Sequence, residues 1–353
     1  MKLQIGLIGL GTAWQTRHRP ALRMLHDRFD VRAVFTPVSK LAETCAAEFQ
    51  ADPVDGYRAL VSRSDIDAVM VLERSWTGWL PALAACEAGK SIYWASDFDF
   101  DPDRDKHIRA AIDESGVAFV TEFPRRFAPA TLRLKELIAT RLGTPKLVFC
   151  HRRIDAPVDA VQARRCSADV ARQELIEAID WCRYVVGREP DAVTAAALGG
   201  IAPAKIESTD SRSRTDQIGG GADNADYQSM SLHFDADTSS PQVTAQVSCG
   251  SYIPASWPEA AGFRPPSAMQ ICCERGVAFL DLPNTLVWFD DAGRHLESLE
   301  TETPVGEQLL NQFHRAVTSL VRDLRGLDDA YQAAKILNAA RQSYAQGERV
   351  DVS

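Results

Sequence analysis

The chain has 353 residues, 45% hydrophobic and 25% charged, with 39 Lys and Arg against 48 Asp and Glu for a formal charge of −9. That length predicts two domains at about 150 residues each, gives enough core to fold without disulfides, and with this composition excludes a disordered, collagen-like or coiled-coil chain. The basic footprint of a nucleic-acid binder is missing, and the pairs Arg125-Arg126, Arg152-Arg153 and Arg164-Arg165 suit small anionic ligands or surface solvation better than a phosphate backbone.

In chain order, strands are predicted at 3–8, 31–35, 68–72, 91–94 and 117–121, and helices at 12–27, 39–49, 57–61, 79–87 and 103–115, with Gly89 and Gly116 as stops. Strands alternating with helices imply crossover units and a parallel sheet. After Pro124 the pattern changes to a helix at 128–140, a strand of mixed polarity at 146–153 and a helix at 170–186 that Gly187 ends. Strand-like runs then follow one another at 192–197, 228–234, 242–252, 268–274, 277–280 and 286–290, the last reaching the turn Asp290-Asp291-Ala292-Gly293. Meandering strands suggest an antiparallel sheet with one covered face. Helices at 307–324 and 328–346 close the chain, and the stretches 208–226 and 236–241 look loose.

The fold class expected is an α/β Rossmann domain with a parallel doubly wound sheet (1–123), followed by an α+β domain with an open, mainly antiparallel sheet (124–353). The closing helices, 307–346, are placed so that they can pack back on the first domain.

None of the 8 cysteines forms Cys-x-x-Cys or a Cys/His group of zinc spacing, so no metal site is expected. Apolar neighbours around Cys150, Cys272 and Cys273 suit buried reduced thiols and a reducing compartment. The apolar run after Met1-Lys2 is broken by Gly6, Gly9 and Gly11 and followed by Arg17-His18-Arg19, so it reads as a strand and not as a signal peptide. No window of about 20 apolar residues predicts a membrane span. A cytoplasmic protein is expected.

The strongest local signal is Gly9-Leu10-Gly11-Thr12-Ala13-Trp14 between a strand and a helix. Glycines let such a turn tighten and the backbone approach a pyrophosphate, whose charge the helix N-terminus favours. Trp14 stands where a third glycine would, and an ordinary strand–helix turn that needs small residues stays open as the alternative. The second strand ends at Phe35-Thr36-Pro37 with no carboxylate to hold an adenosine ribose. A neutral Thr36 with Lys40 nearby tolerates a 2′-phosphate better than an acid would, which tilts the expected cofactor, NAD(P), toward NADP. Decay of the adenosine end is the other reading.

These features, with His18-Arg19-Pro20-Ala21-Leu22, Asp65-Ile66-Asp67-Ala68-Val69, Ala85-Cys86-Glu87-Ala88-Gly89-Lys90, Arg126-Phe127-Ala128-Pro129, Ile179-Asp180-Trp181 and the segment from Asp329-Ala330 to Ser343, carry a family resemblance. The chain resembles the glucose–fructose oxidoreductase/inositol dehydrogenase (Gfo/Idh/MocA) family of NAD(P)-dependent oxidoreductases. The resemblance implies a sugar-like substrate and an open-sheet domain that builds a homodimer or homotetramer. It also implies departures. The family's Glu-Lys-Pro falls on Ala95-Ser96-Asp97, so Ser96 replaces the lysine, and its catalytic histidine falls on Glu177 while the last aspartate survives as Asp180. The nicotinamide-side Thr-Pro falls on Glu73-Arg74, beside Leu72, and a later histidine on Gly78.

Hydride transfer to or from an alcohol needs a base at the carbinol proton. Glu177 is the candidate base, with Asp180 one helical turn away as orienter, and Glu174 completes an i, i+3 stripe that can equally be a solvated acidic face. Further cleft candidates are Tyr93 at the end of a parallel strand, Asp97, Asp99, Arg152 and Arg126, the last alternatively a salt bridge between domains. Trp76 and Trp79 suit ring stacking or core packing. Three functions remain open at this point: a divergent oxidoreductase, a non-catalytic ligand-binding or scaffold member of the fold, and a changed acid–base chemistry on Glu177 and Asp180.

Overall fold

A computed structural model of the chain describes residues 1–74, 77–95, 106–154, 162–198, 225–236, 241–250, 252–253, 259–260, 267–319 and 325–352. These fall into two compact units, one formed by Met1–Phe127 with Thr301–Gln332 and the other by Ala128–Glu300 with Ala333–Ser353.

The first unit holds a six-stranded sheet of β1 (Leu3–Ile8), β2 (Phe29–Phe35), β3 (Asp52–Pro53), β4 (Ala68–Val71), β5 (Ser91–Trp94) and β6 (Phe119–Thr121). Its order is β3-β2-β1-β4-β5-β6 and every pairing is parallel. Parallel strands covered on both faces read as unbroken apolar runs, and Leu3, Ile5, Leu7, Ala68, Val69, Met70 and Val71 are all fully buried. Helices α1 (Arg19–Met24), α2 (Ser39–Phe49), α3 (Tyr57–Val61), α4 (Leu80–Glu87) and α5 (Lys106–Ser115) make the crossovers. The strand order reverses between β1 and β4, which opens a crevice at their carboxyl ends.

One element differs in kind from its sequence pattern. The helix expected at 12–27 is a π-helical turn, Trp14–His18, followed by the short α1. Pro20 has no N–H to continue an i→i−4 ladder, and the ladder widens before it, His18 N–H reaching Ala13 O at 3.3 Å.

The second unit holds a nine-stranded sheet in the order β14-β13-β12-β11-β7-β10-β9-β8-β15. In chain order the strands are β7 (Pro145–Arg153), β8 (Ala192–Leu198), β9 (Tyr227–Phe234), β10 (Val243–Gly250), β11 (Met269–Cys273), β12 (Val277–Asp281), β13 (Thr285–Asp290), β14 (Gly293–Ser298) and β15 (Val350–Asp351). β7 and β10 run parallel and the other pairs antiparallel. One face is covered by α6 (Pro129–Leu137) and α7 (Gln162–Val186), which lays Leu175, Ile176 and Ile179 against β7 and β10. Trp181 Nε1–H donates to Thr131 Oγ1 at 3.0 Å and ties the two helices together. Strand β14 had no sequence signal because an edge strand is polar on both faces, and here Arg294, His295 and Glu297 break the alternation.

Helix α8 (Val305–Thr318) belongs to the first unit, and α9 (Arg325–Gln346) contributes its first part to the first unit and its remainder to the second. Among the described residues no helix is long and apolar enough to cross a membrane.

Candidate functional site

In the first unit the turn after β1 lies against the end of β4. Gly9 has φ +71° and Gly11 φ +49°, a region that favours glycine. A Cβ on Gly9 would come 2.6 Å from Glu73, and one on Gly11 would run into the Leu72 carbonyl oxygen. The chain's own backbone therefore requires both glycines, with Leu72 N–H donating to Ile8 O at 2.9 Å beside them. Past the glycines Thr12 is exposed and Ala13 half-buried, and their main-chain N–H groups meet no acceptor among the described residues. Free N–H groups ahead of a helical turn, at the crevice of a parallel sheet, fit a pyrophosphate.

Trp14 is not part of that surface. Its ring is buried in the core with Leu10, Ala42 and Ala46, tilted against Phe49 at 5.9 Å. The side chain thus props the helical turn away from the sheet where a third glycine would bring it close. Leu72 is likewise buried, so only its backbone can face a ligand, while Glu73 is exposed and Arg74 half-buried. Thr36 is nearly buried and its Oγ1 accepts the Val38 N–H at 3.1 Å. Lys40 is exposed, 4.0 Å from Glu43.

Tyr93 is a correction to the sequence reading. It is fully buried, and its hydroxyl donates to Glu122 Oε2 at 2.8 Å. Three groups converge on that carboxylate, for His18 Nε2 stands 2.7 Å from Oε2 and Arg17 Nη1 pairs with Oε1. Side-chain exposure is 2% for His18 and 6% for Glu122. Burial by itself would raise the Glu122 pKa, but the charge and hydrogen bond of His18, with Arg17 behind them, outweigh it and hold the carboxyl below its ordinary value. The Tyr93 phenol moves the other way, pushed up by burial and then by Glu122. The hydroxyl is thus enclosed and engaged with Glu122, and does not stand open at the end of β5. Sequence reading missed Arg17, His18 and Glu122 as a group, and the signal was a lone Glu122 at the end of the apolar run 117–123.

Arg126 is engaged as well. Its Nη1 lies 2.6 Å from Asp329 Oδ2, with the guanidinium 5.3 Å from the centre of the Phe123 ring. Asp329 neutralises the charge that a substrate oxygen would need. Trp79 stacks on Trp94 at 4.3 Å as core packing. Ser96, Asp97, Asp99 and Trp76 lie outside the described residues.

In the second unit the acidic stripe of α7 divides. Glu174 pairs with the exposed Arg152 at 3.3 Å. Glu177 is half-buried and accepts from Gln173 Nε2 at 3.1 Å. Asp180, 1% exposed, is held 3.3 Å from Arg183 Nη1, and Arg183 is in turn bound by Glu189. Helical spacing placed the three carboxylates on one face, but it could not show that Arg183, three residues on, satisfies Asp180. Asp180 is a buried ion-pair partner and not an open orienter. Among the described residues no group of three or more His, Cys, Asp or Glu could hold a metal ion.

A parallel sheet of this order with a glycine turn at its reversal point is the architecture of an NAD(P)-binding Rossmann domain. Residues 3–94 match the family model described as "Oxidoreductase family, NAD-binding Rossmann fold". The uncharacterized oxidoreductase YrbE of Bacillus subtilis is 25% identical over 204 residues, covering 57% of this chain and 59% of that one. Inositol 2-dehydrogenase of Rhizobium meliloti is 25% identical over 200 residues, covering 56% and 59%. The matched region thus spans under two thirds of the length of these relatives. A levoglucosan dehydrogenase solved with NADH and levoglucosan shares the fold with a TM-score of 0.78 over 100% of both chains at 18% identity. Over residues 3–94 the chain is similar to the Gfo/Idh/MocA oxidoreductases, and over a little more than half its length it is distantly similar to inositol dehydrogenases.

Proposed function

We propose that the protein is an NAD(P)-dependent oxidoreductase acting on a sugar, polyol or related carbonyl compound, with NADP favoured. The observation that supports this most directly is the pair of unengaged N–H groups on Thr12 and Ala13, next to two glycines at the crossover of a parallel sheet. When bound, the nicotinamide gives or takes the hydride. The turn at Gly9, Gly11, Thr12 and Ala13 holds the pyrophosphate, and the backbone of Leu72, Glu73 and Arg74 flanks the dinucleotide. Thr36 and Lys40 meet the adenosine end, where no carboxylate repels a 2′-phosphate. Glu177 takes the proton from the substrate hydroxyl, and Ser96 hydrogen-bonds to the substrate. The named substrates of the similar proteins, inositol and levoglucosan, support a polyhydroxylated one. In this reading the enzyme works in the cytoplasm as a homodimer or homotetramer.

A second reading, a ligand-binding member without turnover, is favoured by the engagement of Arg126 with Asp329 and of Asp180 with Arg183. Titration of cofactor-stripped protein with NAD(H) and NADP(H), followed by nicotinamide fluorescence and thermal shift, separates the two. Micromolar, saturable binding supports the enzyme; no binding of any of the four up to millimolar concentration overturns it. Thr12→Glu places a negative charge at an exposed position beside the pyrophosphate. It is expected to weaken binding tenfold or more, about 1.4 kcal/mol, with an unchanged thermal midpoint of the free protein. Glu177→Gln is expected to lower turnover at least about 100-fold, the usual scale of a general base, and to leave cofactor affinity as it was. Equal turnover in a substrate screen removes Glu177 from the chemistry.

A further inference from the structure

The two N–H groups assigned to the pyrophosphate are the middle of a tight turn. Gly11 O accepts the Trp14 N–H at 3.4 Å, which leaves Thr12 and Ala13 as the turn's central residues. That closing bond is long, so the turn needs support from either side. On one side the glycines press against Leu72 and Glu73. On the other, Ala13 (φ −84°, ψ 1°) leads into the π-helical turn Trp14–His18. There the Ala13 carbonyl oxygen accepts two N–H groups in succession, from Arg17 at 2.9 Å and from His18 at 3.3 Å.

The side chains of those same two residues are held by one carboxylate. Arg17 Nη1 pairs with Glu122 Oε1, and His18 Nε2 stands 2.7 Å from Oε2. His18 Nδ1 is buried and has no hydrogen-bond partner among the described residues, so the hydrogen bonding of the ring rests on Nε2. Consecutive side chains on a helical turn do not face each other. A carboxylate that takes one on each oxygen therefore fixes the rotation of the turn as well as its distance from β6. Behind Arg17 the start of α8 closes in, where a Cβ on Gly306 would lie 2.6 Å from the Arg17 carbonyl oxygen and 3.0 Å from its Cγ. The whole arrangement lies in the first unit.

Stability alone does not account for this network. A buried ion pair is often no better than apolar side chains of the same volume, and the surroundings are already apolar, with Val120 and Phe313 both buried. What a charged grip adds is direction. A binding site is precise when the groups that touch the ligand are themselves held by a further set. We propose that Glu122 is a positioning residue for the dinucleotide: through Arg17 and His18 it sets the Ala13 peptide, and so aims the Thr12 and Ala13 N–H groups at the pyrophosphate. The inference rests on the nucleotide-binding reading above. It adds to that reading a residue at the end of β6, 104 residues from His18.

The test compares the full-length wild type with Arg17→Met, Arg17→Lys, Glu122→Gln and Tyr93→Phe, each stripped of nucleotide. Fluorescence titration with NADPH and NADH gives affinity, and hydrogen exchange by mass spectrometry follows residues 10–18 before nucleotide is added. Arg17→Met, at a part-exposed position where folding is safe, is expected to bind at least about tenfold more weakly, a modest share of what misplacement can cost. Its segment 10–18 should exchange faster than wild type. Arg17→Lys, which keeps a cation for Oε1, should recover most of the affinity. Glu122→Gln should lose as much as Arg17→Met. Tyr93→Phe removes a donor to the same carboxylate without a bond to the turn, and should bind as wild type does. Equal losses in Tyr93→Phe and Arg17→Met make the network merely structural and overturn the proposal. Tighter binding by Glu122→Gln also overturns it, because a released Arg17 would then meet the phosphates itself. If Glu122→Gln does not fold, Arg17→Met decides, and unchanged exchange over 10–18 sinks the idea. Wild type that binds neither dinucleotide removes the nucleotide-binding reading and this inference with it. Wild type that binds, with Arg17→Met and Glu122→Gln at the same affinity, removes this inference alone.

Discussion

Glu122→Gln is expected to destabilise the first unit by about 3 kcal/mol, the low end of the 3–5 kcal/mol that follows when one member of a buried ion pair is removed. The carboxylate is the partner of His18 Nε2, whose side chain is 2% exposed, and the low end applies because Arg17, 26% exposed, can turn to water. Tyr93→Phe, which removes a neutral donor to the same oxygen, should cost only about 1 kcal/mol. Urea unfolding at pH 7 measures both. The pH dependence has a definite sign. The folded state holds Glu122 below its ordinary value, near 4.3 in the unfolded chain, so its contribution is complete above that value and is lost as pH falls through the lower folded one. Wild-type and Glu122→Gln unfolding curves should therefore converge in acid and separate at neutral pH. A constant gap across that window would mean that the network contributes shape and not charge.

Gly11→Val is expected to cost at least about 3 kcal/mol and to leave little folded protein. A β-branched residue at φ +49° is strained by about 1–3 kcal/mol, and its Cβ meets the Leu72 carbonyl oxygen, which closes the end of the buried β4. The nearest relief is to move the turn off the sheet, which gives up the Leu72 N–H bond to Ile8 O. Expression yield and thermal midpoint read the effect directly. A well-folded Gly11→Val would show that the turn can lift without cost to the sheet. The contrast with Thr12→Glu matters: one variant tests whether the fold needs the turn, the other whether a ligand does.

Much of this architecture was legible in the residues. A short, β-branched apolar run such as Ala68–Val71 reads as a strand covered on both faces, and glycines such as Gly89 and Gly116, at φ +65° and +74°, end helices where the sequence reading stopped them. What could not be read was pairing at a distance. Tyr93 at the end of a parallel strand has the position of a crevice residue, and only the fold reveals Glu122, 29 residues on, beneath its hydroxyl. Asp180 sits at helical spacing from Glu177, but its burial depends on what packs over α7. The turn after β1 carries the letters of a phosphate loop, and the same letters satisfy a demand from Leu72 and Glu73. A glycine records that a side chain is excluded and does not record by what.

The first unit is discontinuous, and this governs how the chain can be made. Phe313 of α8 is fully buried, stacked on Phe29 at 6.4 Å and tilted against Tyr93 at 5.4 Å, while Gly306 lies where a Cβ would come 2.6 Å from the Arg17 carbonyl oxygen. A nascent chain on the ribosome that has emerged only to residue 300 has every strand of the parallel sheet but not the helix that seals Phe29 and Tyr93. The second unit waits longer still, for Ser343, whose Oγ accepts the Ala195 N–H at 3.0 Å. The first unit cannot close before α8 has emerged, nor the second before α9 has, so each holds an incomplete apolar surface open to chaperones and proteases for that interval, and shortening α9 by a few turns harms a sheet laid down some 150 residues earlier.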